Sequence, residues 1–186
     1  MRPQKISDEQ LTVNMLDVLR SRGFDGSSLN DLAIVGGLKK ASLYHRYPGG
    51  KEALVQSVLA YYNNLISNGV FEVLTAKKKK TRKKLNTALD NISEIYSQGG
   101  SNCLYRALSM ESGLRLYGSE ISGSCKQWLK SFESLGKELG FKKKKAKKLA
   151  MEGLVKIQGA LVLSSILDDV KPFQEVLEEI RSAYNG

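Results

Sequence analysis

Within seven residues, Lys39-Lys40-Ala41-Ser42 followed by Tyr44 and His45, the chain places two ammonium groups, a methyl, a hydroxyl, a phenol and an imidazole. Lysine and serine hydrogen-bond to phosphate oxygens and base edges, and a residue as small as Ala41 permits close approach and contact with a thymine methyl. Tyr44 and His45 lie further along and can donate to backbone phosphates. Lys51 adds a cation where the next helix is expected to start, a place whose free N–H groups already favour phosphate. This set of side chains suits recognition of anions and base edges.

The same inventory argues against other chemistry. His45 is the only histidine, and the two cysteines, Cys103 and Cys125, form no Cys-x-x-Cys pair. A four-ligand zinc site has too few soft or imidazole donors to draw on. With no nucleophile elbow and no phosphate loop, no catalytic residue, metal or cofactor is expected, and the chain is not read as an enzyme. The cysteines read as small buried residues of a reducing compartment. Asp168-Asp169, before Pro172, reads as a solvated turn.

The 186 residues carry a formal charge of +10. That balance favours acidic partners, nucleic acid first and anionic membrane second. A hydrophobic fraction of 41% is that of a packed protein. The opening MRPQKISDEQ has no apolar core of a signal peptide, and the most apolar stretch, Ile157 to Leu167, is shorter than the ~18 residues of a membrane span. A cytoplasmic protein with no membrane role is expected.

Positioning these side chains falls to helices, because apolar residues recur at spacings of three and four. Ser7 with Gln10 reads as a capping box, Ile6 with Leu11 as a hydrophobic staple, and Leu11, Met15, Val18 and Leu19 as the apolar stripe of a first helix ending at Gly23. Ser27 or Ser28 caps a short second helix, with Asp31 in its first turn and Leu29, Leu32 and Ala33 on one face. Gly36-Gly37 breaks the chain. A third short helix carries Leu43 and Tyr47 and stops at Pro48-Gly49-Gly50. A fourth is expected over 51–74, and others over about 103–116, 119–139, 143–167 and 173–184, with Gly99-Gly100 as a loop. The lysine runs Lys77–Lys84 and Lys142–Lys148 read as solvated faces opening new helices.

Short helix, glycine turn, short helix over Ser27–Tyr47 is the layout of a helix-turn-helix. The run GFDGSSLNDLAIVGGLKKASLYHRYPGGKEAL resembles the TetR-family signature across Gly23–Leu54. It has the Gly-aromatic pair, hydroxyls opening the second helix, the small residue and glycine at the turn, the Leu-Tyr pair, and Lys-Glu opening helix four. The Pro-Gly-Gly-Lys-Glu form, with Gly99-Gly100 and Cys103 further on, is similar to the LmrA/YxaF-type branch. The resemblance implies a homodimeric transcriptional repressor that binds a pseudo-palindromic double-stranded operator and is released by a small-molecule effector. It implies DNA contacts at Ser27 or Ser28, Lys39, Lys40, Ser42, Tyr44, His45 and Lys51. One position departs from the family pattern: Lys39 stands where Ser or Thr often caps the recognition helix, and lysine cannot accept the N–H bond.

The expected fold is therefore all-α, with a three-helix DNA-binding domain over 1–50 and a larger helical effector-binding and dimerisation domain over 51–186. Tyr62, Tyr96, Tyr105, Met110, Trp128 and Phe132 are candidates for an effector pocket or for plain core. Gly153, Ile157, Ala160, Leu161 and Ser164 belong to a helix that is apolar or small nearly all round, and they are candidates for a dimer interface. The rival reading is a module of the same fold that senses or binds a partner without specific DNA recognition.

Overall fold

The computed structural model describes residues 7–77 and 80–185. Among them every regular element is helical: α1 Asp8–Arg22, α2 Leu29–Val35, α3 Lys40–Arg46, α4 Gly50–Ile66, α5 Glu72–Thr75, α6 Thr81–Ile95, α7 Leu104–Leu108, α8 Glu111–Glu138, α9 Lys143–Leu167 and α10 Lys171–Asn185. The chain folds as two compact units. One holds the described residues up to Asn63 together with Leu104–Ser119; the other holds Asn64–Cys103 and the described residues from Glu120 onward.

In the first unit, Leu11, Met15, Leu16 and Leu19 of α1 are buried with Leu32, Leu43, Leu54 and Val58. Ser7 caps α1 by accepting from the Gln10 amide at 3.1 Å. The reciprocal half of the expected box does not form there, because the Gln10 side chain turns forward to Asn14 Oδ1. Ile6 and the staple assigned to it lie outside the described residues. Gly23 ends α1 at φ 66°, and a Cβ at Gly23 would sit 2.6 Å from the Ala107 carbonyl oxygen. Only glycine allows α7 to approach that corner.

The fourth expected helix is interrupted. Between α4 and α5, Ser67–Phe71 winds as a π-helical turn. The Asn91 side-chain amide donates to the Gly69 carbonyl at 2.7 Å, satisfying an acceptor within the widened turn. The expected helices over 103–116 and 119–139 are divided elsewhere. The break falls at Ser109–Met110, with Glu111 at φ 43°, and Tyr117-Gly118 lies inside α8. There the buried Tyr117 donates its hydroxyl to the Glu52 carbonyl at 3.1 Å. One glycine in a long helix costs only about 1 kcal/mol, less than tertiary burial returns.

The second unit packs α10 on α6 and α9 through Phe173, Leu177, Ile180 and Tyr184, the inward side of a helix whose other side is charged. Arg181 ties α10 to α6 by donating to Asn86 at 2.7 Å and Asp90 at 3.0 Å. Helix α9 buries Ala146, Ala150, Ile157, Ala160, Leu161 and Ser164. It is long and apolar enough, by length and composition, to cross a membrane, with 28% of its apolar window buried. The expected apolar stretch, Ile157–Leu167, is shorter than this window; the helix carries it upstream through Leu154 to Ala150.

One residue of the first lysine run is not solvated. Lys84 is 3% exposed, with its ammonium 2.8 Å from Glu138 of α8, which stays 44% exposed. Lys84 reaches both carboxylate oxygens, and Thr81 donates to the same carboxylate at 2.8 Å. These bonds hold the Glu138 carboxyl below its ordinary pKa, the Lys84 hydrogen bond contributing most. Lys78 and Lys79 of that run lie outside the described residues. Removing Glu138 strands a buried ammonium, whereas replacing Lys84 by an apolar isostere removes the charge that needs a partner. Glu138→Ala should therefore destabilise the protein by about 2 kcal/mol, less than a fully buried pair because the carboxylate is half wet. Lys84→Met should change stability by less than about 1 kcal/mol; equal losses in urea melts of the two variants would refute this asymmetry.

Candidate nucleic-acid interface

Helix α2 begins with a complete reciprocal cap. Ser28 Oγ accepts from the Asp31 amide at 3.1 Å, and Asp31 accepts from the Ser28 amide at 2.8 Å and the Ser28 hydroxyl at 2.7 Å. The Ser28 bonds, with Arg22 nearby, hold the Asp31 carboxyl below its usual pKa. Ser27 is fully buried and donates to the Gly23 carbonyl at 2.7 Å. The two serines are thus placed differently: Ser27 is buried and braces the α1–α2 corner. Ser28 is exposed, with its hydroxyl engaged by the cap.

The turn into α3 follows from two glycines. The Leu38 amide donates to Ala33 and the Gly37 amide to Ile34, both at 3.0 Å, the crossed bonds of a Schellman ending. Gly37 sits at φ 60°, the left-handed region that motif needs. A Cβ on Gly36 would collide with the Leu11 side chain, so the turn is pressed onto α1. The Asn14 side chain adds a bond to the Val35 carbonyl at 3.0 Å.

Helix α3 buries only Leu43. Around that anchor, Lys39, Lys40, Ala41, Ser42, Tyr44 and His45 are all exposed. The structure therefore brings five of the eight expected contact residues, Lys39, Lys40, Ser42, Tyr44 and His45, onto one short surface element. Lys39 occupies the N-cap position and makes no side-chain cap bond. The far end is tied back by Arg46, 2.8 Å from Asp8 at the start of α1. Neither that pairing nor the Asn14 bond was visible as a local signal, since each joins residues more than twenty apart.

Lys51 stands at the start of α4, where the sequence puts it. It is half-buried, its ammonium 4.1 Å from the centre of the Phe24 ring, and burial pushes its pKa down while Asp25 pushes it up. The Phe24 ring packs in turn against Tyr117 at 5.9 Å. Lys51 is thus a cation held on an aromatic platform, with less freedom than the lysines of α3.

The aromatics offered as pocket walls fall into separate clusters. In the first unit Tyr62 meets Tyr105 edge-on at 5.0 Å, and Tyr105 donates to Asn63 at 2.6 Å. Met110 is 63% exposed and borders an open cleft of about 370 Å³ with Arg22, Phe24 and Arg106. In the second unit Trp128 stacks on Phe132 at 5.6 Å, and Tyr96 packs on Phe173 and points its hydroxyl at Cys103 Sγ, 3.6 Å away. Within each unit these rings fill core. Burial pushes the half-buried Cys125 thiol above its usual pKa, away from the reactive thiolate.

The interface residues expected on α9 also turn inward. Ile157, Ala160, Leu161 and Ser164 are buried in the second unit and Gly153 is half-buried. The open side of α9 is instead Met151, Val155, Leu163, Ile166 and Leu167, with Ile166 72% exposed. An all-round apolar helix gives no phase from which to tell the two faces apart.

No family model matches the chain, and no curated protein does. Solved structures do. A TetR transcriptional regulator from Legionella pneumophila superposes with a TM-score of 0.78 at 17% identity, covering 96% of this chain and 98% of that one. A regulatory protein TetR from Rhodobacter sphaeroides gives 0.76 at 14% identity over 94% and 97%. A TetR-family transcriptional regulator, CifR, solved as a cysteine mutant with 26-bp double-strand operator DNA, gives 0.74 at 18% over 100% and 99%. At these identities the likeness is one of fold, along the whole chain.

The uncapped start of α3 generates a stability prediction. Lys39→Ser supplies the missing acceptor and should stabilise the protein by about 0.5–1 kcal/mol, read as a higher melting temperature. An unchanged or lower value would show that the first turn gains nothing from a side-chain cap.

Proposed function

We propose that this chain, on the fold it shares with TetR-type regulators, is a sequence-specific DNA-binding transcriptional repressor of the cytoplasm. The observation that carries this reading is the surface of α3: five side chains able to bond phosphates and base edges stand exposed around one buried leucine. The reading assigns DNA recognition to residues 1–50 and regulation and pairing to 51–186. In it, Lys40 and Ser42 reach base edges, while Lys39, Tyr44 and His45 hold the phosphate backbone. Ser28 is kept as a backbone contact at the start of α2, and Lys51 as a fixed cation at the start of α4.

A homodimer would set two such helices about 34–36 Å apart, one turn of DNA, and so read a pseudo-palindromic operator. The support for pairing is the open apolar side of α9. Met151, Val155, Leu163 and Ile166 follow a helical period with the exposed Gly159 between them, which suits a second copy of the same helix approaching closely. Occupancy of the operator would block transcription. A small-molecule effector that binds one dimer geometry better would shift the population away from the DNA-bound form. The placement in the LmrA/YxaF-type branch rests on Pro48-Gly49-Gly50-Lys51-Glu52 and on Gly99-Gly100 with Cys103.

The purified protein at about 150 mM salt should prefer the DNA just upstream of its own gene to a scrambled duplex by about a thousandfold or more. Lys40→Ala should cut that affinity by about tenfold to a hundredfold. Equal, weak binding to both duplexes would instead support a sensor or partner-binding module without specific recognition.

For the pairing, the wild type should sediment as a dimer and Leu163→Glu with Ile166→Glu as a folded monomer. A dimer that survives both charges would place the interface elsewhere.

A further inference from the structure

The described residues of the two lysine runs, 77–84 and 142–148, have no part in the recognition surface of α3, yet the second unit gathers them at one end. Thr81 and Lys84 of α6 both bond Glu138, the last residue of α8. Five residues later α9 begins at Lys143. Helices α8 and α9 touch so closely there that a Cβ on Gly136 would lie 3.0 Å from the Ala146 Cβ. Lys143 and Lys147 lie near enough to Glu133 of α8 to depress its carboxyl pKa, behind the larger effect of the Lys137 hydrogen bond.

The start of α6 and the start of α9 therefore flank one helix end. Lys80, Arg82 and Lys83 are exposed on one side, and Lys142, Lys143, Lys144, Lys145, Lys147 and Lys148 on the other. The nearby carboxylates are already engaged: Glu138 by Lys84, Glu133 by Lys137, and Glu152 by Lys148. Among the described residues, Lys80, Arg82, Lys83 and Lys144 have no acidic partner within ion-pair distance. Both helices also start without a side-chain cap bond and without an acidic residue in the first turn, so their positive ends add to the lysine charge.

We propose that this basic pole is a second, sequence-independent surface for double-stranded DNA, gripping the phosphate backbone. A duplex offers closely spaced phosphates and asks only for positive charge from such a surface. An anionic membrane usually asks for an inserted apolar group as well. None of the large apolar side chains exposed in this protein lies within residues 80–85 or 141–148. The one ring there, Phe141, is covered by Lys145 at 4.2 Å and packs on Tyr184 at 6.3 Å. Binding at this pole does not require α3, and its signature is salt dependence without sequence preference.

The test uses the full-length protein, a random-sequence duplex and fluorescence anisotropy over a salt series. Lys83→Gln/Lys143→Gln/Lys144→Gln should weaken random-duplex binding by roughly tenfold or more at about 100 mM salt and lower the salt slope by about three. The same three positions changed to arginine should retain both. A control of equal charge loss on exposed basic residues elsewhere, Arg115→Gln/Lys156→Gln/Lys171→Gln, should leave the slope nearly unchanged. An unaltered slope in the first variant, or equal losses in the control, would overturn the proposal. So would phosphatidylserine vesicles whose binding is lost in the first variant while the duplex is still held. Preference for the upstream fragment over the random duplex reports on α3 alone, so failure of recognition and failure of this surface are separately readable.

Discussion

The burial of Leu43 is the constraint on which the candidate interface depends. A seven-residue helix does not persist in water on its own propensity, and α3 has neither a side-chain cap nor an acidic first turn to help it. What fixes it is one leucine driven into the core of the first unit, worth about 1.5–3 kcal/mol, and a turn clamped on either side. The Schellman bonds at Gly37, the close approach of Gly36 to Leu11, and the Arg46–Asp8 pair each remove a way for the helix to pivot. Because Leu43 is the only buried residue of α3, most of its surface is free for side chains that would be unstable in a core. Lysine, serine, tyrosine and histidine can crowd the helix there without a desolvation cost.

How far this arrangement was legible in the sequence varied with the range of the interaction. Local signals carried well. The glycine corner at 36–37, the caps at Ser7 and Ser28 and the extent of α9 depend on residues close in the chain, and the structure shows them near where the pattern put them. The failures came where two local readings were equivalent and distant packing chose between them. Ser27 and Ser28 have the same chemistry, and only the Gly23 carbonyl beneath Ser27 decides which is buried. Tyr117-Gly118 resembles a helix stop, and only the Glu52 carbonyl within reach of Tyr117 keeps α8 intact. The face of α9 toward the core was undetermined because apolar residues surround it.

Charge was the least legible property. A run of lysines reads as solvent-facing, and for most of Lys142–Lys148 the exposure agrees. Lys84 does not follow, because Glu138 meets it from an element far along the chain. A buried ammonium of this kind specifies geometry more than it adds stability: it fixes the start of α6 against the end of α8. The aromatic residues show the same limit in apolar form. Their number suggested a pocket, and ring–ring packing within each unit accounts for most of them.

The π-helical turn at Ser67–Phe71 has a consequence for how the chain tolerates insertion and deletion. A widened turn accommodates one residue beyond the α-helical count, and one residue of helix corresponds to about 100° of rotation. The turn therefore acts as a phase adjuster: Ile66 before it, Val70 and Phe71 within it and Leu74 after it are all buried. The Asn91 amide on Gly69 is the lock on that adjustment. Chains related to this one by a single-residue gap near position 69 would thus be expected to keep the same core, with the asparagine relaxed and an unbroken helix in place of the bulge.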